Sequence, residues 1–391
     1  MLPAAAAAAL PLDDDNLLPE ILLRLPPLPS SLPRASAVCT RWRSLISDPA
    51  FSRRFRIHHR RNAPLLGFIQ PFDVGPSFEP TLEAPDRVPP GRLSLQSDLH
   101  HFRVLGCRHG LVLILDTTRF QLLVWDPVTG HQHRVSIPTG FAWFGTVICG
   151  AVLRATPGDV HFQIVLVRDD HEMEESRALA CVYSSMTEAW GNLILTPIPF
   201  RTMVSIDVLG VLVGHSLYWM LYGTSSNILQ FDLERESLAL IPVPVNKSDF
   251  EGFILMRAED GELSLLSLSG FTAQLWKRNI SCNGVPSRGI VRTVELDKLL
   301  SLDSEEYVTT HGFAEDNNLV VLRVGIGTIF TVQIESLQFR KVTDNSKWYY
   351  YPFESFYAAG NIMSLHCQYN KTKLLFDNGL MECLSYLFML S

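Results

Sequence analysis

Four side chains of the kind that bind zinc lie within ten residues, namely His100, His101, Cys107 and His109. Imidazole nitrogen and thiolate sulfur are common protein ligands of this ion, so the group is a candidate metal site. A second pair, His131 and His133, flanks a predicted hairpin turn, where exposed loop histidines are expected more often than ligands. We predict that neither group holds a metal.

Linear motifs of catalysis are missing from the sequence. It contains no Walker loop, no His-Glu-x-x-His, no Gly-x-Ser-x-Gly and no Cys-x-x-Cys pair. Gly325-Ile326-Gly327 lacks the third glycine of a dinucleotide-binding loop and precedes a strand-like run, so we expect a turn or bulge there. We therefore predict no catalytic residue, no cofactor and no enzymatic activity.

Composition narrows the class of protein. The chain has 391 residues, 47% hydrophobic and 19% charged, enough for one large and one small globular domain. Its net charge of −7 argues against general nucleic-acid binding, which needs a concentrated positive field. The seven cysteines are scattered without paired spacing, which favours buried thiols in a reducing compartment. We expect the protein in the cytoplasm, the nucleus or both.

Three segments resemble targeting or membrane sequences without fitting them. Residues 1–11 include six consecutive alanines but no basic start, so we expect a disordered leader. Residues 135–153 and 208–231 carry no Asp, Glu, Lys or Arg, yet both contain turn residues such as Gly140 and Gly214. Strand, turn and strand is the prediction for both, and no membrane is expected as a partner.

Residues 13–55 have the period of helices. Leu17, Leu18, Ile21, Leu22 and Leu25 recur every three or four residues, behind the helix-capping candidates Asp14, Asp15 and Asn16. After Pro26-Pro27, Ser30 or Ser31 can cap one further helix with an apolar stripe from Leu32 to Ile46, and a short third segment follows Asp48-Pro49. Helices this short expose apolar faces, which favours a partner surface.

Three elements of residues 12–56 follow one another in a known order and spacing. They are Leu17-Leu18-Pro19-Glu20-Ile21-Leu22, Val38-Cys39-Thr40-Arg41-Trp42 and Leu45-Ile46-Ser47-Asp48-Pro49-Ala50-Phe51. With these elements, residues 12–56 resemble an F-box. The resemblance implies docking onto a Skp-type adaptor, and through it a cullin scaffold that carries the ubiquitin-conjugating enzyme. The predicted adaptor-binding residues, as interface or its immediate support, are Leu17, Leu18, Pro19, Glu20, Ile21, Leu32, Val38, Cys39, Trp42, Leu45 and Ile46.

Two alternatives stay open for this region. The helices could merely cap the following domain, because an apolar stripe at period 3.6 is more often core than interface. Residues 41–61 also contain seven arginines and two histidines against one acid, Asp48. This basic cluster could serve nuclear import or phosphate binding, but a solvated helix face that meets an acidic partner is the favoured interpretation.

The remainder, residues 57–391, has the period of strands and predicts an all-β domain. A weak repeat places one equivalent residue in each of five copies, with separations of 58, 48, 45 and 56 residues. Such a period is the size of a propeller blade. We predict about six blades, closed by a strand near residues 65–70 paired with one near the C-terminus. The equivalent residues are Trp125, Tyr183, Phe231, Trp276 and Val332.

Two phrases of this domain are similar to those of plant F-box-associated β-propellers. They are Trp125-Asp126-Pro127-Val128-Thr129-Gly130 and Tyr183-Ser184-Ser185-Met186-Thr187-Glu188-Ala189-Trp190, preceded by the Gly-x-x-x-Gly-Leu of Gly106 to Leu111. Within this frame, Trp125, Trp190, Trp219 and Trp276 are expected as apolar plugs between blades. Gly106, Gly110 and Gly130 are expected in turns with positive φ.

Together these features predict a small all-α F-box module followed by a propeller. The hypothesis is a substrate-recognition subunit of a Skp–cullin–F-box ubiquitin ligase, whose propeller binds an unidentified protein. A non-degradative scaffold is one alternative, and a propeller enzyme or lectin is another, because a fold does not fix a function.

Overall fold

The computed structural model describes residues 16–59, 62–71, 75–89, 93–95, 99, 101–141, 147–154, 160–172, 175–205, 209–223, 227–243, 252–280, 286–303, 305–344 and 350–356. The predicted leader at 1–11 lies outside the described residues. The chain divides into two compact units, of which the first contains residues 16–59 and the second residues 62–355. The predicted limits of 12–56 and 57–391 stay predictions.

The first unit consists of four short helices. They are α1 (Leu17–Leu23), α2 (Ser31–Ser36), α3 (Thr40–Ser47) and α4 (Pro49–His58). The prediction of one helix along the stripe from Leu32 to Ile46 is wrong, because the chain turns between α2 and α3. Cys39 is extended there, with φ −161° and ψ 171°, and its carbonyl accepts the first α3 hydrogen bond from the Arg43 amide. The turn removes Val38 and Cys39 from the stripe and exposes both.

The second unit consists of six antiparallel sheets, which we number as blades 1 to 6. Blade 1 contains β3 (Phe102–Arg108), β4 (Leu111–Asp116), β5 (Gln121–Trp125) and β6 (Gln132–Ser136), and blade 2 contains β7 (Ile148–Arg154), β8 (Phe162–Glu172), β9 (Glu175–Ser184), β10 (Ala189–Trp190) and β11 (Ile194–Pro197). Blade 3 contains β12 (Met203–Val204), β13 (Val211–Val213), β14 (Ser216–Tyr222), β15 (Asn227–Asp232) and β16 (Ser237–Pro242), and blade 4 contains β17 (Gly252–Arg257), β18 (Leu263–Ser269), β19 (Thr272–Ile280) and β20 (Pro286–Glu295). Blade 5 contains β21 (Val308–Ala314), β22 (Leu319–Val324), β23 (Thr328–Gln333) and β24 (Gln338–Asp344), and blade 6 contains β1 (Leu65–Gln70), β2 (Ser77–Pro80) and β25 (Tyr351–Glu354). Blades 1, 4 and 5 follow the chain order, β10 and β11 both pair with β9 in blade 2, and β12 and β13 both pair with β14 in blade 3. Blade 6 combines both ends of the unit.

Blade 6 closes the ring, as the sequence predicts. Strand β25 pairs antiparallel with β1, so that Phe68 lies opposite Pro352 and Ile69 opposite Tyr351. Because each sheet has one face that it cannot bury alone, packing six of them around an axis buries both faces and leaves few open edges. The six-bladed propeller is therefore confirmed.

The five repeat positions predicted from the sequence all lie on the third strand of their blades. Tyr183, Phe231, Trp276 and Val332 belong to the apolar clusters that separate their own blade from the preceding one. Trp125, the fifth position, is also buried. The repeat was detectable because each third strand must fill the same space between neighbouring blades.

The predicted tryptophan plugs are present, but one glycine prediction is wrong. Trp219 is fully buried between blades 2 and 3, and Trp190 packs between blades 1 and 2 with its Nε1 donating to the Ser136 carbonyl at 2.9 Å. Gly110 and Gly130 have positive φ, at 72° and 77°. Gly106 does not, because it lies within β3 beside a register shift of the β3–β4 ladder.

A fifth helix, α5 (Leu296–Leu300), connects blades 4 and 5 and buries Leu296 and Leu300 in their shared core. No helix in the described ranges has the length and apolarity to cross a membrane. Residues 208–231 form strands and turns in their described part, as predicted.

Candidate functional site

The helical unit has its own apolar core. Leu18 and Leu22 from α1 meet Leu32 from α2, Ile46 from α3 and Phe55 from α4, all nearly inaccessible to solvent. Burying side chains of this size contributes about 2 kcal/mol each to folding. Three of the predicted adaptor-binding residues, Leu18, Leu32 and Ile46, therefore belong to the core of the unit and not to its surface.

Other predicted residues lie on the surface of the same unit. The side chain of Leu17 is 46% exposed and that of Val38 is 62% exposed, although both are apolar. Exposed apolar groups mark a binding surface where they form a contiguous patch, whereas single ones are common on any protein. The remaining predicted residues are exposed at Glu20 and Cys39 and partly buried at Pro19, Ile21, Trp42 and Leu45.

Polar contacts fix the relative positions of the helices. Arg54 of α4 donates to Glu20 of α1 at 2.5 Å. The His59 Nε2 lies 2.8 Å from the Leu23 carbonyl at the end of α1, and its ring lies 4.5 Å from that of Phe55. Burial lowers the pKa of His59, so the imidazole is neutral at physiological pH. These contacts connect the first and last helices of the unit.

The side-chain helix cap that the structure shows in this unit is not one of those predicted. Asp48 accepts from the Ala50 amide at 2.9 Å and caps α4, where Pro49 is the first helical residue. Asn16 and Ser30 make no capping hydrogen bond with their side chains, which differs from the prediction. The aspartates that precede Asn16 lie outside the described residues.

At the centre of the propeller, a buried ion pair crosses the axis. Arg108 of β3 donates its Nε to Glu315 Oε2 at 2.7 Å, and its Nη2 to both the other carboxylate oxygen and the Gly210 carbonyl. The Leu212 amide of β13 also donates to Glu315, at 3.0 Å. The pair thereby joins blades 1, 3 and 5. Sequence analysis missed this pair, since no local pattern relates residues so far apart.

Beside this pair lies a group of carboxylates with raised pKa values. Glu354, at the end of β25, accepts from the backbone amides of Asp316 and Asn317 at 3.0 and 2.9 Å. Burial, together with the nearby carboxylates of Glu354 and Glu315, raises the pKa of Asp316 to about 8. Burial likewise raises the pKa of Glu354. At neutral pH this group therefore retains a proton.

The cavity at the axis is small. Its volume is about 40 Å³, and it is lined by the innermost strands of all six blades, including Gly106, Gly150, Gly312 and Pro352. A cavity of this size holds a few water molecules. Its geometry suits a structural core of polar contacts better than a pocket for a substrate.

Two of the histidines considered as metal ligands, His109 and His133, have other partners. His109 Nδ1 accepts from the Arg154 amide at 3.1 Å, and burial lowers its pKa to about 4. Burial raises the pKa of Cys107, which keeps its thiol protonated. His133 lies 3.3 Å from the Tyr183 hydroxyl. Among the described residues, which exclude His100, no group of three or more His, Cys, Asp or Glu side chains could hold a metal.

Comparison with protein families matches both units. The family described as "F-box protein AT5G49610-like, beta-propeller" matches residues 103–355, which is more than half of the chain. The F-box-like family matches residues 10–58.

Curated relatives come from Arabidopsis thaliana. The F-box/kelch-repeat protein At3g23880 is 24% identical over 256 residues, which cover 59% of this chain and 65% of the relative. "Putative F-box protein At3g19560" is 23% identical over 281 residues, or 67% of this chain and 73% of the relative. A third relative, the "Putative F-box/kelch-repeat protein At1g15680", is 29% identical over 194 residues and matches only 45% of its own length.

Solved structures resemble the chain more distantly. The Dos1 propeller aligns with a TM-score of 0.37 at 9% identity, covering 72% of this chain and 68% of that one. A luciferin-regenerating enzyme aligns with the same TM-score and identity, covering 63% of this chain and 77% of that one. At these values we draw no conclusion from either likeness.

Proposed function

Because the chain belongs to the family of F-box proteins with an AT5G49610-like β-propeller, we propose that it is the substrate-recognition subunit of a Skp–cullin–F-box ubiquitin ligase. The helical unit binds a Skp-type adaptor, and the adaptor connects it to a cullin. The propeller binds the protein that receives ubiquitin. In this role the chain contributes no catalytic residue, and it acts by holding two reactants close together.

The observation that carries the proposal is the exposure of Leu17 and Val38 on a unit that already has a closed core. Apolar side chains that are not needed for the core are available to an adaptor, and interface centres are enriched in such residues. Glu20 and Cys39, which are also exposed, add polar contacts at the edge. Leu18, Leu32 and Ile46 keep the helices in place beneath this surface.

The propeller is better suited to hold a protein than to convert a small molecule. Its axial cavity of about 40 Å³ is lined in part by the Arg108–Glu315 pair, whereas pockets for small ligands are much larger. The loops between strands therefore supply the surface for the target. Cytoplasm and nucleus are the proposed compartments, because both contain the ligase machinery and keep thiols reduced.

The test is binding of purified Skp-type adaptor to the full chain and to a Leu17→Asp/Val38→Asp variant. Both positions are exposed, so the variant should keep its fold while a charge at each position weakens adaptor binding by at least about tenfold. A matched control is Met186→Asp, because Met186 of the propeller is 73% exposed and apolar. The control should bind like the unchanged chain.

Two results would contradict the proposal in different ways. Unchanged binding by the double variant would remove Leu17 and Val38 from the interface. Absence of binding by the unchanged chain would exclude the ligase role as a whole. Binding of the adaptor without ubiquitin transfer to any protein held by the propeller would instead indicate a scaffold.

A further inference from the structure

The lysines of this chain are confined to its C-terminal part. All seven lie at residue 247 or later, whereas 20 of the 26 arginines come before that point. The helical unit and blades 1 to 3 therefore carry their positive charge on arginine alone. The lysines are Lys247, Lys277, Lys298, Lys341, Lys347, Lys371 and Lys373.

Arginine and lysine are equivalent as surface charges but not as nucleophiles. A lysine can lose a proton and attack as a free amine, while the guanidinium of arginine stays protonated in proteins. In ubiquitin transfer, a lysine ε-amine attacks the thioester carbonyl that joins ubiquitin to the conjugating enzyme. An amide bond forms, the carbon–sulfur bond breaks, and the cysteine leaves as a thiolate while the amine gives up a proton.

Some arginines of the lysine-free part are needed for their geometry. Arg108 uses several donors at once on Glu315 and Gly210, and Arg154 donates to the His109 carbonyl and to Asp126. A lysine could not reproduce such forked contacts. Hydrogen bonding therefore explains these buried positions.

Other arginines in the same part have no such requirement. Arg235 is 83% exposed and its pair with Asp232 spans 3.8 Å, while Arg53 on α4 is exposed. An exposed pair such as Arg235–Asp232 is worth little, and lysine would serve it equally well. These contacts do not explain why Arg53 and Arg235 are arginine.

We propose that the lysine-free region, residues 1–246, spares the receptor from ubiquitination by its own ligase, so that ubiquitin passes to the bound target. The inference rests on the function proposed above and concerns its regulation. If residues 1–246 are spared, ubiquitin that does attach to the receptor must attach to lysines of the C-terminal part, where two of the described lysines are accessible.

Of the lysines that the structure describes, Lys298 and Lys341 are accessible. The Lys298 side chain on α5 is 72% exposed, and its neighbour Glu295 is also exposed, so this contact does not shield the amine. Lys341 on β24 is exposed as well. Lys277 differs, because Asp260 at 2.9 Å and Glu335 at 3.7 Å hold its ammonium group and its side chain is only 20% exposed. We therefore expect modification at Lys298 and Lys341 ahead of Lys277.

The experiment is reconstituted ubiquitination of the full chain without a target. The reaction contains a Skp-type adaptor, a cullin with its RING subunit, activating and conjugating enzymes, and ubiquitin. The unchanged chain is compared with an Arg53→Lys/Arg235→Lys variant, and acceptor lysines are mapped by mass spectrometry. We expect several-fold more self-modification of the variant, with ubiquitin on the introduced lysines.

The matched control is Arg340→Lys, which adds a half-exposed lysine beside Lys341 in the part that already holds acceptors. It should leave total self-modification close to that of the unchanged chain. Equal melting temperatures of all variants would show that the substitutions do not act through unfolding.

Transfer of ubiquitin to free lysine in solution measures the activity of the assembled ligase independently of any acceptor on the receptor. It therefore distinguishes failure of the ligase role from failure of the sparing of residues 1–246. If the assembled complex releases ubiquitin in this way but the introduced lysines stay unmodified, the sparing role is wrong and the ligase role stands. If the adaptor does not bind and no ubiquitin is released through the chain, both proposals fail.

Discussion

Arg108 and Glu315 form a buried ion pair across the propeller axis, although 207 positions separate them in the sequence. Arg108 comes from the first strand of blade 1, and Glu315 follows the first strand of blade 5. Each partner also bonds to the backbone before or within β13 of blade 3. The pair thus connects blades that are not neighbours, which sheet pairing alone cannot do.

Removal of one partner should strongly destabilise the propeller. In a Glu315→Ala variant the Arg108 guanidinium stays buried without its counter-charge, so we expect a loss of about 3–5 kcal/mol in the free energy of unfolding. Urea unfolding followed by tryptophan fluorescence measures it. Glu295→Ala, which removes an exposed partner of Lys298, is the control and should cost less than about 1 kcal/mol. Similar losses for both variants would show that the axial pair has no special role.

The stability of the propeller should fall as pH rises toward 8. The folded pKa of Asp316, about 8, lies above the ordinary value of 3.8, so the folded state binds a proton that the unfolded state releases between these values. Stability from this group is complete below pH of about 4 and is lost as pH increases through about 8. Because water reaches this partly buried carboxyl, we expect an effect on the order of 2 kcal/mol.

Asp316→Asn provides the comparison for this pH effect. The amide cannot ionise, so the difference in unfolding free energy between the unchanged chain and the variant should decrease steadily from pH 5 to pH 8. Since Asp316 and Glu354 interact, the midpoint belongs to the pair and not to Asp316 alone. A difference that stays constant over this range would contradict the raised pKa.

The parts of the fold that depend on local period were predictable from sequence. Third-strand residues such as Phe231 and Val332 recur because every blade repeats one packing problem. Contacts that depend on ring closure were not predictable, and Glu354 with Asn317 is an example. Their partners come from distant segments that only the closed ring brings together.

The helical unit shows a different limit of prediction. An apolar stripe of period 3.6 from Leu32 to Ile46 suggested one helix, but the turn at Ala37–Cys39 leaves Val38 exposed. An apolar stripe indicates which residues are kept from water, either by the core of the unit or by a bound partner. Leu17 and Leu18 belong to the same motif, so the sequence pattern cannot tell that Leu18 lies in the core and Leu17 on the surface.

The packing of β1 against β2 in blade 6 should depend on Gly67. A Cβ added at this position of β1 would lie 2.2 Å from the Glu79 carbonyl oxygen and 2.6 Å from the Phe78 ring, both in β2. Backbone of the neighbouring strand has little freedom to retreat, so Gly67→Ala should cost about 1–3 kcal/mol. The control is Gly140→Ala, whose Cβ would meet only Leu193, at 3.8 Å. Thermal unfolding of both variants measures the difference, and an unchanged melting temperature for Gly67→Ala would contradict the close packing of β1 on β2.

The neighbours Leu17 and Leu18 should separate stability from binding. Leu18 is 1% exposed, so Leu18→Ala should leave a cavity among α1, α2 and α4 and destabilise the helical unit by about 2–5 kcal/mol. Leu17→Ala removes a similar side chain from the surface and should change stability by less than about 0.5 kcal/mol. Hydrogen exchange of the amides in residues 17–59 of the full chain measures both effects within this unit. Adaptor binding should follow the opposite order after correction for lost stability. Leu17→Ala should weaken adaptor binding although the amides of the helical unit exchange at their normal rates. If Leu17→Ala accelerates exchange as much as Leu18→Ala does, Leu17 belongs to the core and not to the binding surface.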